Sequence, residues 1–285
     1  MRNINKDTIT EAALASISNT SNPRTLEVLS AMIRHLHAFV KEVKLTNEEW
    51  QVAMDLLQKA AKITDDNRSE FILFSDTLGV SALVDLVAED FGVGTETSLL
   101  GPFYIPGAPK MGYGANLAKC NDGTRVVVQG KITDLDGKPI SNATIDLWQN
   151  AANGLYQVLD PDQDLDNLRC VTNTNDNGEY LFATIKPVTY PVPDDGPVGD
   201  MLRATNRHPQ RTAHIHFFIQ ADGYKPLVTE LFPDDDPYLE EDAVFGVREA
   251  LVVPFAKADP SEASPMPGIE HPFLKVNFDF RLQPA

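Results

Sequence analysis

The chain has 285 residues and a formal net charge of −17 at pH 7. A surface with that charge repels a phosphate backbone and an anionic bilayer, which argues against nucleic-acid and membrane partners. Hydrophobic residues make up 42% and charged residues 23% of the chain, a composition typical of a soluble globular protein of one or two domains.

The N-terminal residues 1–13 contain no apolar signal core, and no apolar run in the chain reaches the length of a membrane span. Two cysteines, Cys120 and Cys170, are too few and too far apart to form a disulfide framework. We therefore expect a cytoplasmic protein in which both thiols are reduced.

The first hundred residues carry a helical pattern of apolar side chains. From Arg24 to Val43 the apolar intervals are three and four residues, as in a packed helix or a coiled coil. The apolar positions are Leu26, Leu29, Ile33, Leu36, Val40 and Val43. Thr46 and Glu49 form a capping box that predicts the start of a second helix. A third helical stretch is predicted from about residue 70 to residue 88.

After residue 100 the sequence predicts short strands separated by turns that are rich in glycine, proline and aspartate. The predicted strands cover residues 125–132, 143–148, 179–182, 213–219 and 251–254. Turns are predicted at DLDGKP (134–139) and NDNG (175–178). This pattern predicts a mainly β protein with an α-helical N-terminal domain at 1–100 and an antiparallel β-sandwich at 101–285.

Two histidine pairs have the spacing His-x-His. His35 and His37 fall in a helical pattern, where residues two apart point to nearly opposite sides and cannot chelate one ion. His214 and His216 fall in a predicted strand, where residues two apart share a face and can reach one metal ion. Two buried histidines with ordinary partners would show the same spacing, so the motif alone leaves both readings open.

Three other residues could belong to the same site. Tyr156 follows a glycine turn, and Tyr190 lies in a proline-rich loop. Phenolate is a hard anionic ligand that suits ferric iron better than zinc, although tyrosines in loops more often serve packing. Arg211 stands three residues before His214, roughly 10 Å away along an extended backbone. It is either part of the site or a surface arginine.

Taken together, these residues and their surroundings resemble the intradiol ring-cleavage dioxygenases. The matching segments are SLLGPFY, DLDGKPI, ATIDLWQN, NGLY, YPVPDDGPVG, HPQRTAHIHF and DAVFGV, which lie between residues 97 and 255. The helical part resembles the N-terminal dimerisation segment of the catechol and hydroxyquinol branch. The resemblance thus implies a homodimer, and a helical part with room for a bound phospholipid.

The resemblance also implies one Fe(III) per subunit. Tyr156 and His214 would be equatorial ligands, Tyr190 and His216 would be axial ligands, and a hydroxide would complete the set. Arg211 would stabilise negative charge on the ring, and Tyr190 would accept a substrate proton. The chain departs from many catechol enzymes at Glu230, where they carry Gln, and this departure leaves the role of that position open.

The resemblance further implies which residues contact the substrate. They are Leu73, Asp76, Leu99, Gly101, Pro102, Val192, Pro193, Arg211 and Val244. Catechol enzymes commonly carry Pro where Asp76 stands, whereas hydroxyquinol enzymes carry Asp. Chlorocatechol enzymes can also carry Asp there, but their helical part tends to be shorter. The segment DPYLEEDAVFGV also resembles the hydroxyquinol branch most closely. We therefore expect the substrates to be O2 and hydroxyquinol (benzene-1,2,4-triol), with catechol or chlorocatechol as alternatives.

Other functional classes remain open at this point. The stretch from residue 126 to residue 148 also resembles prealbumin-like β-sandwich modules, which bind ligands without catalysis. A zinc hydrolase is a weaker alternative, because tyrosine ligands are rare for zinc. The iron content of the purified protein distinguishes these readings from a dioxygenase.

Overall fold

The computed structural model describes residues 2–65, 68–88, 93–118 and 122–285. The chain forms two compact units, Met1–Lys59 and Ala60–Ala285. Cys120 lies outside the described residues, so the prediction for its thiol is untested, whereas Cys170 is a buried free cysteine. The division into a dimerisation domain at 1–100 and a catalytic domain at 101–285 stays a prediction.

Six α-helices occur in the described residues, and five of them precede all the strands, as the sequence predicts. They are α1 (Ile9–Ser16), α2 (Pro23–Val43), α3 (Asn47–Ile63), α4 (Glu70–Thr77), α5 (Val80–Ala88) and α6 (Pro197–Ala204). The predicted capping box is present, because Glu49 N–H donates to the Thr46 hydroxyl at 3.2 Å and Thr46 N–H donates to the Glu49 carboxylate at 2.9 Å. Sequence reasoning missed α1 and α6.

The single helical stretch predicted at 70–88 is wrong in one respect, because the structure divides it into α4 and α5. The two helices are bent by 70°. Between them Gly79 has φ +74°, a left-handed conformation that glycine adopts without steric cost. Among the described residues, no single helix has the length and apolarity to cross a bilayer. Only the bent α4–α5 pair meets that test, when its helices are taken together.

The strands form two large sheets and one short ribbon. They are β1 (Ala115–Asn116), β2 (Arg125–Thr133), β3 (Thr144–Trp148), β4 (Arg169–Asn173), β5 (Glu179–Ile185), β6 (Tyr190–Pro191), β7 (Gln210–Arg211), β8 (Ile215–Gln220), β9 (Leu227–Pro233), β10 (Val252–Val253), β11 (Ala256–Lys257), β12 (Leu274–Asn277) and β13 (Phe280–Arg281). The first sheet has the strand order β1-β5-β2-β12-β11, and β13 also pairs with β2. The second sheet has the order β10-β9-β8-β3-β4. Strands β6 and β7 pair with each other and form the short ribbon.

The mainly β architecture with a helical N-terminal part is confirmed, but the sheets are mixed. The pairs β2–β5, β3–β4, β3–β8 and β8–β9 are antiparallel, whereas β1–β5, β2–β12, β2–β13 and β9–β10 are parallel. Parallel neighbours need long crossover connections. The chain makes such connections between β2 and β12 and between β9 and β10, and the short turns in the sequence do not reveal them.

Alternation along β8 places two sets of side chains on opposite faces of the second sheet. Ile215, Phe217 and Ile219 belong to the large core cluster that also contains β2 and β5 residues. Successive strand residues point to opposite faces, so His216 lies on the outer face. The outer face of this sheet, rather than the space between the sheets, is therefore available for a site.

Candidate active site

Three side chains lie in a row on the outer face of the second sheet. Trp148 of β3 and Glu230 of β9 are both cross-strand partners of His216 on β8. The Trp148 and His216 rings are stacked, with centroids 4.6 Å apart and planes at 9°. Because the imidazole is held between an indole and a carboxylate, its orientation is fixed by the sheet itself.

His214, just before β8, meets His216 edge to edge. Its Nδ1 lies 2.7 Å from the Thr212 carbonyl oxygen, so this nitrogen carries the proton and Nε2 presents a lone pair. The two Nε2 atoms of His214 and His216 are 3.0 Å apart. Burial first, and then the Arg211 guanidinium, lower the pKa of both imidazoles well below the usual value. Both rings are therefore neutral and able to bind a metal ion.

Both predicted tyrosines reach this point. Tyr156 Oη lies 3.0 Å from His214 Nε2, and the Tyr190 ring centroid lies 5.5 Å from that of Tyr156 and 5.8 Å from that of His214. Burial raises the pKa of Tyr156 well above its usual value and also raises the pKa of Tyr190. Strand β6 places Tyr190 directly opposite Arg211 on β7. The structure thus brings together five residues that are dispersed over the sequence.

Two carboxylates hold the Arg211 guanidinium. Nε lies 3.4 Å from Asp242 Oδ1, and Nη2 donates to Glu230 Oε1 at 3.1 Å. The remaining nitrogen, Nη1, lies 3.4 Å from His214 Nε2 and therefore faces the nitrogen edge of this imidazole. A charge buried in this way is costly unless it is paired. The two acids supply the pairing and also fix the direction in which Nη1 points.

Glu230 is fully buried, and the Ser98 hydroxyl donates a hydrogen bond to its carboxylate. Burial raises the pKa of this carboxyl to about 7, although Arg211 acts in the opposite direction. Glu230, His214 and His216 lie close enough together to form a three-residue metal cluster. However, Glu230 Oε1 lies 3.4 Å from Nδ1 of His216, whereas Nε2 of the same ring faces His214. The same Oε1 lies 3.3 Å from Nε2 of His214, so the carboxylate reaches both rings.

The donor atoms around the two imidazoles fit a trivalent iron ion. Two phenol oxygens and two imidazole nitrogens are hard or intermediate ligands, and two phenolates would offset most of the charge of the ion in a dry site. His216 Nδ1 has no hydrogen-bond partner among the described residues. If Nε2 binds a metal ion, Nδ1 keeps its proton and faces the Glu230 carboxylate, as is usual for metal-bound histidines.

A small cavity lies beside these groups. Its walls include all nine residues predicted to contact the substrate, together with Phe103 and Tyr190. The predicted nine are Leu73, Asp76, Leu99, Gly101, Pro102, Val192, Pro193, Arg211 and Val244. Asp76 is 6% exposed and is surrounded mainly by apolar walls. In this apolar setting the Asp76 carboxylate accepts a hydrogen bond from Ser81.

Several site residues were missed by the sequence reasoning. Ser98, Trp148 and Asp242 are buried and contact Glu230, His216 and Arg211, respectively. They lie in the segments SLLGPFY, ATIDLWQN and DAVFGV that carry the resemblance, but sequence reasoning assigned them no role. The strand register could have identified Trp148, because it is the cross-strand neighbour of His216. By contrast, His35 and His37 lie on α2 in the unit Met1–Lys59, where His37 Nδ1 is 3.1 Å from the Thr10 hydroxyl.

Comparison with known families accounts for this arrangement. Residues 99–284 match the family model described as "Dioxygenase", and residues 22–92 match "Catechol dioxygenase N terminus". The chain belongs to the intradiol ring-cleavage dioxygenase family. Enzymes of this family use non-haem iron, which agrees with the donor atoms described above.

Individual members of the dioxygenase family are similar over nearly their full length. The chain is 42% identical over 278 residues to a hydroxyquinol 1,2-dioxygenase from Rhizobium sp., covering 95% of this chain and 93% of the relative. It is 39% identical to a 6-chlorohydroxyquinol 1,2-dioxygenase from Cupriavidus pinatubonensis, covering 100% of both chains. The solved structure of hydroxyquinol 1,2-dioxygenase from Pseudomonas putida matches with a TM-score of 0.91 and 43% identity, covering 98% and 99% of the two chains.

Gly101 provides a test of how tightly His216 is held. This glycine has φ +73°, and a Cβ there would lie 3.3 Å from His216 Cε1. Gly107 has a similar φ of +86° but no atom within 4 Å of its Cβ position, so it is a matched control. We expect Gly107→Ala to cost about 1–2 kcal/mol through backbone strain alone. Gly101→Ala should cost more and should also lower the iron content. Chemical unfolding and metal analysis measure both effects, and equal results for the two variants would show that His216 has room to move.

Proposed function

We propose that this dioxygenase cleaves hydroxyquinol with O2 between two adjacent hydroxylated carbons, giving the ring-opened muconate (maleylacetate) product. The observation that carries this proposal is the Asp76 carboxylate, which lies in a largely apolar cavity beside the histidines and tyrosines. Relatives named as hydroxyquinol 1,2-dioxygenases support the same substrate. Catechol and chlorocatechol are the alternative substrates. They are less favoured because neither offers a third hydroxyl to this carboxylate.

We propose one Fe(III) per chain, held by Tyr156, Tyr190, His214 and His216. The 3.0 Å separation of the two imidazole Nε2 atoms supports this ligand set, because two nitrogens that bind one ion approach each other in this way. A ferric ion held by these residues would supply Lewis-acid chemistry that makes the ring reactive towards O2. With two phenolates the charge of the site falls to +1, and a dianionic substrate can enter without leaving a large net charge buried.

The protein side chains would handle protons and charge. The Tyr190 phenol oxygen would accept one of the two substrate protons, since it lies at the cavity wall beside the histidines. Arg211 Nη1 faces the same space and would stabilise negative charge that develops on the ring. Because Glu230 and Asp242 already fix the guanidinium, it needs no reorganisation during the reaction.

Asp76 would favour substrates that carry a third hydroxyl group. Burial raises the pKa of its carboxyl, while a hydrogen bond from Ser81 and the charge of Arg211 act against this rise. A hydroxyl group on the far edge of the ring could donate to the carboxylate, and hydrogen bonds to charged acceptors are strong. Catechol presents only a C–H there and would leave the buried carboxylate without that partner.

The first test concerns iron and colour. Charge transfer from phenolate to Fe(III) should give the purified protein a red to burgundy colour. Tyr156→Phe should bleach this colour or lose the iron, because one ligand oxygen is removed. Tyr180→Phe is the matched control, since Tyr180 is equally buried but donates to the Phe278 carbonyl on the other sheet. Visible spectra and metal analysis measure the colour and the iron content of the wild type and both variants. A colourless, iron-free wild type that is fully active would refute the ligand assignment.

The second test concerns the substrate. Asp76→Ala should lower kcat/KM for hydroxyquinol relative to catechol by about 10- to 150-fold, the value of one hydrogen bond to a charged group. Asp76→Asn should give an intermediate ratio, because the amide oxygen still accepts a hydrogen bond but carries no charge. Oxygen uptake with both substrates measures the ratio. An unchanged ratio in both variants would move the discrimination to another wall of the cavity.

We also propose a homodimer assembled through the N-terminal helices, with phospholipid bound there, and a cytoplasmic location. Helix α2 contains no buried residue, and Met32, Leu36, Phe39 and Val43 are each at least half exposed. Apolar surface of this kind marks an interaction site. Residues 22–92 match the family model "Catechol dioxygenase N terminus", so catechol dioxygenases share this helical segment.

The dimer proposal predicts a specific effect of a charge on α2. Leu36→Glu should convert the protein to a monomer in sedimentation experiments, because two carboxylates would be brought into an apolar interface. Lys41→Glu, an exposed change on the same helix, should leave the dimer intact. A wild-type protein that sediments as a monomer at micromolar concentration would contradict the proposal.

A further inference from the structure

A guanidinium outside the cavity joins two of its walls. Arg207 Nη1 donates to the Thr77 carbonyl oxygen at 2.6 Å, and Nη2 donates to the Ala243 carbonyl oxygen at 2.9 Å. Thr77 directly follows Asp76, and Ala243 directly precedes Val244. Asp76 and Val244 both line the cavity, whereas Arg207 lines a separate groove on the outer side of these segments. The arginine therefore connects two wall segments without being part of the cavity surface.

The chemistry of both acceptors suits an arginine. Thr77 is the last residue of α4, so its carbonyl cannot bond within the helix and lies at the negative end of the helix dipole. A guanidinium presents several N–H groups in a rigid plane and can donate to two carbonyls at once. Lysine has a single charged nitrogen on a flexible chain, which makes it a poor substitute at this position.

Phe245 holds the same two segments together from the outside. The Arg207 guanidinium carbon lies 5.1 Å from the centroid of the Phe245 ring, within the range of a cation–π contact. A Cβ at Gly79 would lie only 3.3 Å from this ring, so the backbone after α4 packs directly under the aromatic side chain. Phe245 has φ +61°, a strained conformation for an aromatic residue. Such a conformation persists only where its surroundings hold it in place.

We infer that Arg207 is a positioning residue that fixes the separation between the Asp76 wall and the Val244 wall, and thereby sets the selectivity for the ring substituent. This inference rests on the proposed function of the cavity. Arg207 acts through the backbone of α4 and of the segment 242–246, and it does not touch the substrate. Its loss should free the end of α4 and allow the Asp76 carboxylate to move away from the third hydroxyl.

The two substrates respond differently if this inference is correct. Hydroxyquinol depends on the position of Asp76 because its third hydroxyl donates to that carboxylate. Catechol makes no such bond and is therefore insensitive to a small shift of α4. A purely structural role would instead weaken catalysis on both substrates to the same degree, since general loosening does not distinguish a hydroxyl from a C–H.

The experiment compares Arg207→Ala and Arg207→Lys with Arg281→Ala as a control. Arg281 is an exposed arginine on β13 whose Nη2 donates to the Leu135 carbonyl oxygen at 2.7 Å, and neither residue lines the cavity. In Arg207→Ala the ratio of kcat/KM for hydroxyquinol to that for catechol should fall about tenfold. The reason is that the hydrogen bond from the third hydroxyl to the charged Asp76 carboxylate is partly lost. Arg207→Lys should recover part of the ratio, and Arg281→Ala should leave it unchanged.

A double variant tests whether Arg207 acts through Asp76. In the background of Asp76→Ala, the further change Arg207→Ala should cause no additional fall in the ratio, because the bond that depends on the arginine is already absent. Additive effects of the two changes would overturn the inference. Equal losses on both substrates in Arg207→Ala, or an unchanged ratio, would overturn it as well.

Amide hydrogen exchange gives a readout that needs no activity. Peptides covering 76–79 and 242–246 should exchange faster in Arg207→Ala than in the wild type, while the strands of the core stay protected. Unchanged exchange in both segments would contradict the inference. If the wild type cleaves neither substrate, the proposed function fails on that result alone, and the exchange data still decide whether Arg207 holds the two segments. Should Arg207→Ala fail to fold, Arg207→Lys and Phe245→Leu provide the same comparison.

Discussion

The alternation of side chains along β8 is the constraint on which the other features of the site depend. Ile215 and Phe217 must enter the core between the sheets, so His214 and His216 must face outwards. The same register places Trp148 and Glu230 on either side of His216. A shift of one residue would exchange the core and the histidines, and the fold would lose both its packing and its candidate iron ligands.

Pairing of opposite charges determines the arrangement of the residues around Arg211. Arg211 is buried and would oppose a cation at the neighbouring histidines, but Glu230 and Asp242 surround it. Asp242 also accepts from the backbone N–H groups of Thr212 and Gly246, which ties the guanidinium to the chain on both sides. The acids thus hold a positive group close to the imidazole nitrogens without leaving an unpaired charge. The sheet sets the positions of the histidines, and these carboxylates set the orientation of the Arg211 guanidinium.

Much of this could be read from the sequence, and the limits have physical reasons. The His-x-His motif, the capping box at Thr46 and the strand at 125–132 are local patterns, and the structure contains them. The relation of Tyr156 and Tyr190 to the histidines came only from family resemblance, because loops bring them together. The break at Gly79 and the role of Asp242 depend on tertiary contacts, which periodicity does not encode. Glu230 was noticed as a departure, but its partners Ser98 and Arg211 needed the fold.

The apolar residues of the cavity form a cluster of their own. Leu73, Leu99, Val192 and Val244 pack with parts of α5 and α6, and they are separate from the large cluster that fills the space between the sheets. A substitution in this small cluster therefore changes packing outside the space between the two sheets. Natural variation can remodel the shape of the binding site while stability is maintained elsewhere, and a family built this way can diversify across substituted aromatic rings. Laboratory evolution aimed at new ring substituents has its safest targets in the same cluster.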